Sequence, residues 1–272
     1  MGFYQDKTAF VTGGSTGIGL AIAKAFAKEG SHVVVFARTV SKLEPAINEI
    51  KKEAVSPAQS ICFYSVDMSN PEDTKAVFEK AIRENRVPDI LVNCVGIAQP
   101  DYFENITFDI FDKTIKTNLY STWNSVYTMV PYMKERGGQI VNTSSIAGFL
   151  GVFGYADYCM TKFGIIGFSE ALRSELKRYN IKVQVLCPPD TDTPGFEAEN
   201  KNKPEETKAI GGKATLLKPE FVATTVLKEM QKKSFLIIPG FDGKMTRIIK
   251  RFFPWLIDWI MSSSIQKVQQ RS

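Results

Sequence analysis

The sequence feature that most constrains the fold is an alternation between short apolar, β-branched runs and longer segments with helical periodicity. Near-continuous apolar strands joined by helices are typical of a parallel sheet, because the crossover helices cover both of its faces. The chain is therefore expected to form a three-layer α/β structure. The predicted strands are residues 8–12, 33–37, 61–66, 90–95, 139–144 and 182–186, with a late edge strand at 235–238.

The segments between these runs contain helix start and stop signals. A helix over residues 17–29 is expected to end at Gly30, since glycine tolerates the backbone that ends a helix. Ser41 is a suitable N-cap for a second helix reaching about residue 54, and a third is expected to pass through 74–84. We find no repeat, low-complexity segment or linker, so residues 1–242 are expected to form one domain.

Composition excludes several function classes. The net charge of +5 lies entirely in residues 243–272, while the rest has 28 basic and 28 acidic residues. A general nucleic-acid surface on the body is therefore not expected. The four cysteines are scattered, which predicts neither a zinc site nor a disulfide framework and favours a reducing, cytoplasmic setting. The single histidine, His32, begins a strand-like run, so a histidine-based triad or metal site is not expected.

A glycine-rich segment follows the first predicted strand. It reads Thr12-Gly-Gly-Ser-Thr-Gly-Ile-Gly19 and leads into the first helix, a position where a strand–turn–helix unit binds a dinucleotide diphosphate. A glycine-rich turn without a ligand is the alternative. The predicted contacts are Gly13, Ser15, Thr16, Gly17, Ile18 and Gly19.

The end of the second strand bears on cofactor choice. Dinucleotide sites that prefer NAD have an acidic residue here for the ribose 2′-hydroxyl, whereas an arginine suits a 2′-phosphate. This chain has Phe36-Ala-Arg38-Thr and no acid, which favours NADPH/NADP over NAD. An exposed surface arginine without a ligand is the alternative.

Tyr158 and Lys162 are four residues apart and therefore share one face of a predicted helix. A free tyrosine has a pKa of about 10. A neighbouring lysine cation favours the phenolate, so this pair is expected to bring the pKa of Tyr158 toward the range useful for acid–base catalysis. A solvated helix face explains the same spacing.

Taken in order, these residues resemble the short-chain dehydrogenase/reductase family over at least residues 6–240. The matching pieces are Thr12-(x)3-Gly-Ile-Gly, Asn93-Cys-Val-Gly96, Asn118, Ser145 and Tyr158-x-x-x-Lys162. The resemblance implies a doubly wound parallel sheet (Rossmann fold). Two departures are Cys94-Val95, where Asn-Ala is usual, and Pro189 in place of a glycine, which stiffens the loop after the sixth strand.

The resemblance implies hydride transfer from NADPH to a ketone carbon, without a metal. Tyr158 would protonate the oxygen, Ser145 would polarise it, Lys162 would hold the nicotinamide ribose, and Asn118 would hold a water linking Lys162 to solvent. The alternative for Ser145 is a hydroxyl at a strand end that hydrogen-bonds the local backbone. The alternative for Asn118 is a helix residue that serves packing. Tyr155 and Ser144 are rejected as catalytic. The further cofactor contacts implied are Asp67 at the adenine, Asn93, Gly96, Pro188, Thr191 and Thr193.

Residues 188–217 are expected to form a lid over substrate and cofactor. The segment Pro188-Pro-Asp-Thr-Asp-Thr-Pro-Gly-Phe196, with Glu199, Lys203 and Glu206 beyond it, resembles the 3-ketodihydrosphingosine reductases within the family. The implied substrate is a long-chain lipid ketone. Reduction of a 3-oxoacyl thioester or steroid-type ketone, or NADP binding without turnover at a membrane, remain alternatives.

The tail, residues 243–272, is predicted to be an amphipathic helical extension. Met245, Ile248, Ile249, Phe252 and Phe253 share one side of a helix and the basic residues the other, before Pro254 interrupts. Such a segment is typical of a helix lying on a membrane surface, and no apolar run is long enough to span a bilayer. Packing on the body or on another subunit is the alternative. The family resemblance also implies a homodimer or homotetramer.

Overall fold

A computed structural model describes residues 2–212 and 215–270. Arg271, part of the basic tail, and residues 213–214 of the expected lid lie outside the described residues. Seven parallel strands form one sheet in the order β3-β2-β1-β4-β5-β6-β7, which confirms the predicted doubly wound parallel sheet. Their bounds are β1 Thr8–Thr12, β2 His32–Ala37, β3 Ile61–Ser65, β4 Ile90–Asn93, β5 Gly138–Thr143, β6 Ile181–Leu186 and β7 Leu236–Ile237.

The strand order reverses between β1 and β4, which is where an open parallel sheet leaves a crevice at the carboxyl ends of its strands. β1 pairs in register with β2 on one side and with β4 on the other, so Thr12 lies beside Phe36 and Asn93. Every residue of β1 and β4 is buried. The continuous apolar character of these strands therefore reflects helices on both faces.

The helices cover the sheet as predicted. α1, α2 and α9 contribute to the apolar core on one face, and α3, α5 and α6 to that on the other. The bounds are α1 Gly17–Lys28, α2 Val40–Lys52, α3 Pro71–Glu84, α4 Phe108–Ile115, α5 Ser121–Met133, α6 Ala156–Leu176, α7 Pro194–Asn200, α8 Glu205–Gly211, α9 Pro219–Met230, α10 Phe241–Phe252 and α11 Pro254–Gln269. A π-helical turn, Lys116–Tyr120, joins α4 to α5.

Several predicted boundaries differ from the structure. Helix α2 begins at Val40, so Thr39, not Ser41, occupies the N-cap position. Helix α3 begins at Pro71, where the Asn70 side chain accepts a hydrogen bond from the Asp73 N–H at 3.0 Å. The fourth strand ends at Asn93, before the loop reaches Gly96. The starts of these helices depend on the local turn and capping, and the end of β4 depends on the turn toward the crevice. The spacing of apolar residues does not indicate either.

His32 is the first residue of β2, as predicted, and its Nδ1 accepts a hydrogen bond from the Ser60 N–H at 2.9 Å. The tail forms two helices, α10 and α11, which meet at Phe253 and Pro254. α11 runs much further than the predicted apolar segment and lies against α8. Within the described part of the chain, no helix is long and apolar enough to cross a bilayer.

Candidate active site

A cleft of about 410 Å³ lies at the carboxyl ends of the central strands, in the crevice between β1 and β4. Its walls come from the loops after β1, β2, β4 and β6 and from α6. The predicted cofactor contacts that line it are Gly13, Ser15, Thr16, Gly17, Ile18, Gly19, Arg38, Asp67, Gly96, Tyr158, Lys162, Pro188 and Thr193. The fold thus brings together most of the residues that the sequence pointed to.

The glycine loop has the backbone geometry of a phosphate cradle. Gly17 has a φ of +56°, in the left-handed region that side chains disfavour. A Cβ on Gly19 would lie 2.3 Å from the carbonyl oxygen of Gly13, so only glycine lets α1 approach the loop so closely. Thr16, at the N-cap of α1, makes no side-chain capping bond, which leaves N–H groups of the first turn available to an anion. These residues fit a dinucleotide diphosphate.

The far end of the cleft carries positive charge. The Arg38 guanidinium lies 3.9 Å from the Asp67 carboxylate, and Lys42, in the first turn of α2, lines the same end. Burial works to raise the pKa of Asp67, but hydrogen bonds from Ser69 and the Arg38 charge hold it below its ordinary value. Lys42 was not among the residues predicted from the sequence. Its spacing of four residues from Arg38 was the available signal.

Tyr158 and Ser145 form the centre of the site. Ser145 follows β5, Tyr158 lies in the first turn of α6, and hydrogen bonding from Ser145 works to lower the pKa of the Tyr158 phenol. The Lys162 Nζ lies 5.4 Å from the centre of the Tyr158 ring, as the shared helix face predicted. Ser144 is not part of this contact, because its hydroxyl donates to the Lys162 carbonyl oxygen at 2.8 Å.

Asn118 and Lys162 lie on either side of Gly96. A Cβ on Gly96 would be 3.3 Å from the Lys162 Nζ and 3.5 Å from the Asn118 Oδ1. Lys162 donates to the Thr143 carbonyl oxygen at 3.0 Å. Asn118 lies in the π-helical turn, where it is completely buried, and π-bulges are frequent at functional sites.

The side chain of Asn118 already makes several protein hydrogen bonds. Its Oδ1 accepts from the Ile97 N–H at 2.8 Å, and its Nδ2 donates to the Ile97 carbonyl oxygen and to the Thr161 hydroxyl, each at 3.0 Å. These bonds fix the loop after β4 against α6. Asn118 therefore helps to fix the position of the loop after β4. Its expected role in holding a water that links Lys162 to solvent stays a prediction.

The pKa of Tyr158 differs in direction from the sequence-based expectation. Burial raises it, the nearby Glu199 carboxylate raises it further, and the hydrogen bond with Ser145 lowers it, with a net rise. Burial lowers the pKa of Lys162 to about 8. Desolvation is thus the largest cause of both pKa shifts. The Tyr158 phenol is protonated at neutral pH, which suits a proton donor.

A second cavity, of about 480 Å³, adjoins the cleft at Tyr158. Apolar side chains from the segment after β5 form part of its wall, and the segment after β6, with α7 and α8, forms much of the rest. Thr246 of α10 also lines it, so the tail reaches this cavity. The residues common to both cavities are Ile18, Tyr158, Pro188, Thr193, Phe196 and Glu199. The Tyr158 side chain is therefore accessible from both.

Two predicted cofactor contacts lie outside the cleft wall. Asn93 is buried in the sheet, where it donates to the Asn142 Oδ1 at 2.8 Å and accepts from the Thr12 hydroxyl at 3.4 Å. Thr191 is buried, donates to the Pro189 carbonyl oxygen at 2.9 Å, and lines only the second cavity. Tyr155, rejected as catalytic, donates to the Glu199 Oε2 at 3.1 Å.

The chain is similar in sequence to a known enzyme family and to several of its members. Residues 7–204 match the model of the family described as short chain dehydrogenase. A zebrafish (Danio rerio) 3-dehydrosphinganine reductase is 40% identical over 237 residues, covering 86% of this chain and 71% of the relative. A Dictyostelium discoideum 3-ketodihydrosphingosine reductase is 34% identical over 260 residues, covering 90% and 78%.

Among solved structures, the L-sorbose reductase of Gluconobacter frateurii, complexed with NADPH and L-sorbose, superposes with a TM-score of 0.75. It is 25% identical in sequence, and the match covers 86% of this chain and 95% of that one.

Proposed function

Because this chain belongs to the short-chain dehydrogenase family, we propose that it is an NADPH-dependent reductase that transfers hydride to the ketone of 3-ketodihydrosphingosine, a long-chain lipid. The observation that carries the proposal is the junction of two cavities at Tyr158, beside Ser145 and Lys162. One cavity suits a dinucleotide and the other a second ligand. A ketone at the junction would meet both the hydride and the proton.

Each residue of the site has a separate role in the proposed reaction. When bound, the nicotinamide supplies a hydride to the ketone carbon. The protonated Tyr158 phenol gives its proton to the ketone oxygen as negative charge develops there, and Ser145 holds that oxygen with a hydrogen bond. Burial lowers the pKa of Lys162 to about 8, so Lys162 is mostly protonated at neutral pH and favours the phenolate that remains.

The residues of the cleft support NADPH as the cofactor. Gly13, Gly17 and Gly19 allow the backbone to approach the diphosphate, and Arg38 with Lys42 gives the ribose end two cations. Two cations and no unpaired acid suit the 2′-phosphate of NADPH. Relatives named for 3-ketodihydrosphingosine reduction support the choice of substrate.

A substrate panel tests the proposal. Purified full-length protein is mixed with NADPH and, separately, with 3-ketodihydrosphingosine, a long-chain 3-oxoacyl thioester and a steroid ketone, and NADPH oxidation is followed by absorbance. We expect the highest kcat/KM with 3-ketodihydrosphingosine. A higher value with the thioester or the steroid would contradict the substrate assignment, and no turnover of any ketone would contradict the enzyme assignment.

We also propose that residues 188–217 act as the lid of this site and that residues 243–272 hold the protein on a membrane surface. The tail exposes aromatic side chains beside a set of cations, a combination that favours a bilayer interface with anionic lipids. Thr246 of α10 lines the second cavity, so a surface-bound tail would bring that cavity close to the lipid. The exposed large apolar residues of the described part of the tail are Ile248, Phe252, Phe253, Trp255, Trp259 and Ile260.

Flotation with vesicles tests the membrane contact. Replacing Phe252, Trp255 and Trp259 together by serine is expected to abolish flotation with vesicles that contain phosphatidylserine. Phe221→Ser is the control, because Phe221 is also a half-exposed aromatic residue but lies on α9. Equal flotation of the triple variant and the wild type would refute membrane binding by the tail.

We further propose that the chain forms a homodimer through α5 and α6. Trp123 and Tyr127 on α5 are exposed and stack on each other, with ring centres 6.3 Å apart, and Trp123 also contacts Phe168 of α6. Such an aromatic patch favours a protein interface. Light scattering should give a dimer mass, or a tetramer built from it, for the wild type and a monomer for Tyr127→Glu. An unchanged mass would refute this interface.

A further inference from the structure

The second cavity contains charged groups that the proton-transfer chemistry does not use. Of the four charged side chains of the segment after β6 that line it, Lys208 is exposed and pairs with Glu205 at 2.7 Å. The other three form a less exposed cluster: Asp190, Glu199 and Lys203. Glu199 is the closest to the reaction, since it lines both cavities and its charge acts on the Tyr158 phenol. A substrate made only of hydrocarbon would form no favourable contact with these charged groups.

The negative charges of this cluster outnumber the positive. Asp190 and Glu199 are two carboxylates, and Lys203 is one ammonium group, itself buried. The Lys203 Nζ lies 4.0 Å from the centre of the Phe196 ring and lowers the pKa of both carboxyl groups without an ion pair within 4.0 Å to either. Burial raises the pKa of both acids, which means that each carboxylate is short of stabilising partners.

The hydrogen bonds of Glu199 leave one oxygen for a ligand. Among the described residues, the Glu199 carboxylate accepts one hydrogen bond, from the Tyr155 hydroxyl to Oε2 at 3.1 Å. The Tyr155 ring centre lies 5.6 Å from that of Tyr158. Tyr155 therefore positions the Glu199 carboxylate close to the Tyr158 phenol.

This geometry matches a chemical feature of the proposed substrate. In 3-ketodihydrosphingosine, the carbon next to the ketone carries an amino group, which is a cation when protonated. A ketone oxygen hydrogen-bonded to Tyr158 and Ser145 places that ammonium near the wall of the cavity. A buried carboxylate there gains a charge-assisted hydrogen bond from the cation. A 3-oxoacyl thioester and a steroid ketone have no ammonium to offer.

The geometry points to Glu199 as the residue that binds the ammonium group beside the substrate ketone, with Asp190 adding negative charge and Tyr155 positioning the carboxylate. This inference rests on the proposed function and adds to it the reason for selecting a 2-amino ketone. The apolar residues Ile146, Leu150 and Val152, on the segment after β5, are left to contact the hydrocarbon chain.

The test compares two ketones and three variants in full-length protein with NADPH. The ketones are 3-ketodihydrosphingosine and the same molecule with hydrogen in place of the amine. Glu199→Gln is expected to raise KM for the amino ketone about tenfold or more, as befits a lost bond to a charged group. For the deaminated ketone the change in kcat/KM should be much smaller, because only the effect of the Glu199 charge on the Tyr158 pKa remains.

Two further variants separate binding from folding. Glu199→Asp keeps the charge and should recover part of the lost affinity for the amino ketone. Glu197→Gln is the matched control, because Glu197 lies on the same helix and is exposed outside both cavities. It should behave as the wild type with both ketones.

The outcomes distinguish this inference from the proposed function. Equal losses of Glu199→Gln on both ketones, or no loss on the amino ketone, refute ammonium binding by Glu199. A wild type that prefers the deaminated ketone also refutes it, while the reductase chemistry stands. A wild type that reduces neither ketone refutes the proposed function itself, and the inference with it.

Discussion

Removing the Arg38 guanidinium tests whether this end of the cleft selects the 2′-phosphate of NADPH. In Arg38→Ala the cofactor loses one charged partner, while the glycine loop and Tyr158 are untouched. A hydrogen bond to a charged group contributes about 1.5–3 kcal/mol when well formed. The Arg38 side chain is 57% exposed, so solvent weakens the contact and the lower end of this range applies.

The expected result is a rise of about tenfold in KM for NADPH, because about 1.4 kcal/mol corresponds to a factor of ten. KM for NADH should stay within about twofold, since NADH has no 2′-phosphate. The stability cost should be below ~1 kcal/mol, because the Arg38–Asp67 pair is 3.9 Å apart and half-exposed on both sides. A urea titration checks that the fold is intact.

Steady-state kinetics with both cofactors at saturating ketone gives the answer. The double variant Arg38→Ala, Lys42→Ala should raise KM for NADPH further and bring it close to that for NADH. Arg83→Ala provides a matched control, because Arg83 lies on α3 outside the cleft wall. Equal losses with NADPH and NADH in Arg38→Ala would refute recognition of the 2′-phosphate at this position.

Two further predictions concern the loop and the buried lysine. Gly19→Ala should cost about 1–3 kcal/mol of stability and weaken NADPH binding in a fluorescence titration, since its Cβ would lie 2.3 Å from a backbone oxygen. Gly151→Ala, with no atom within 4 Å of its Cβ, should change neither, and a harmless Gly19→Ala would contradict the close packing. For Lys162, burial lowers the pKa from 10.5 to about 8, so the unfolded chain binds more protons between these values. Urea midpoints of the cofactor-free wild type relative to Lys162→Met should therefore rise from pH 8 toward pH 10.5, and parallel curves would contradict the shift.

The sheet was predictable from the sequence because its central strands, β1 and β4, are buried on both faces. Thr8–Thr12 reads as one apolar run for that reason, and the structure confirms its bounds. Helix starts were less predictable. Ser41 has a suitable side chain for an N-cap, yet the chain turns into the helix before it, and Thr39 occupies that position without a side-chain bond. Such choices depend on tertiary contacts that a local pattern does not contain.

Some features of the site were also predictable from the sequence, and others were not. Spacing and strand order placed Tyr158, Lys162 and the glycine loop in one crevice, because these features are set by the backbone. The direction of the Tyr158 pKa was wrong, since a sequence indicates a neighbouring charge but not the degree of burial. Glu199 was noted only as part of a resemblance, because its position opposite Tyr158 depends on how the segment after β6 folds back.

The most direct test of the central claim is the activity of Tyr158→Phe with 3-ketodihydrosphingosine and NADPH. The variant keeps the ring that lies between the two cavities and loses only the proton donor. We expect kcat to fall by about 10²–10⁴-fold, with NADPH binding, followed by fluorescence titration, within about twofold of the wild type. A Tyr158→Phe enzyme that reduces the ketone at a near-normal rate would contradict the account.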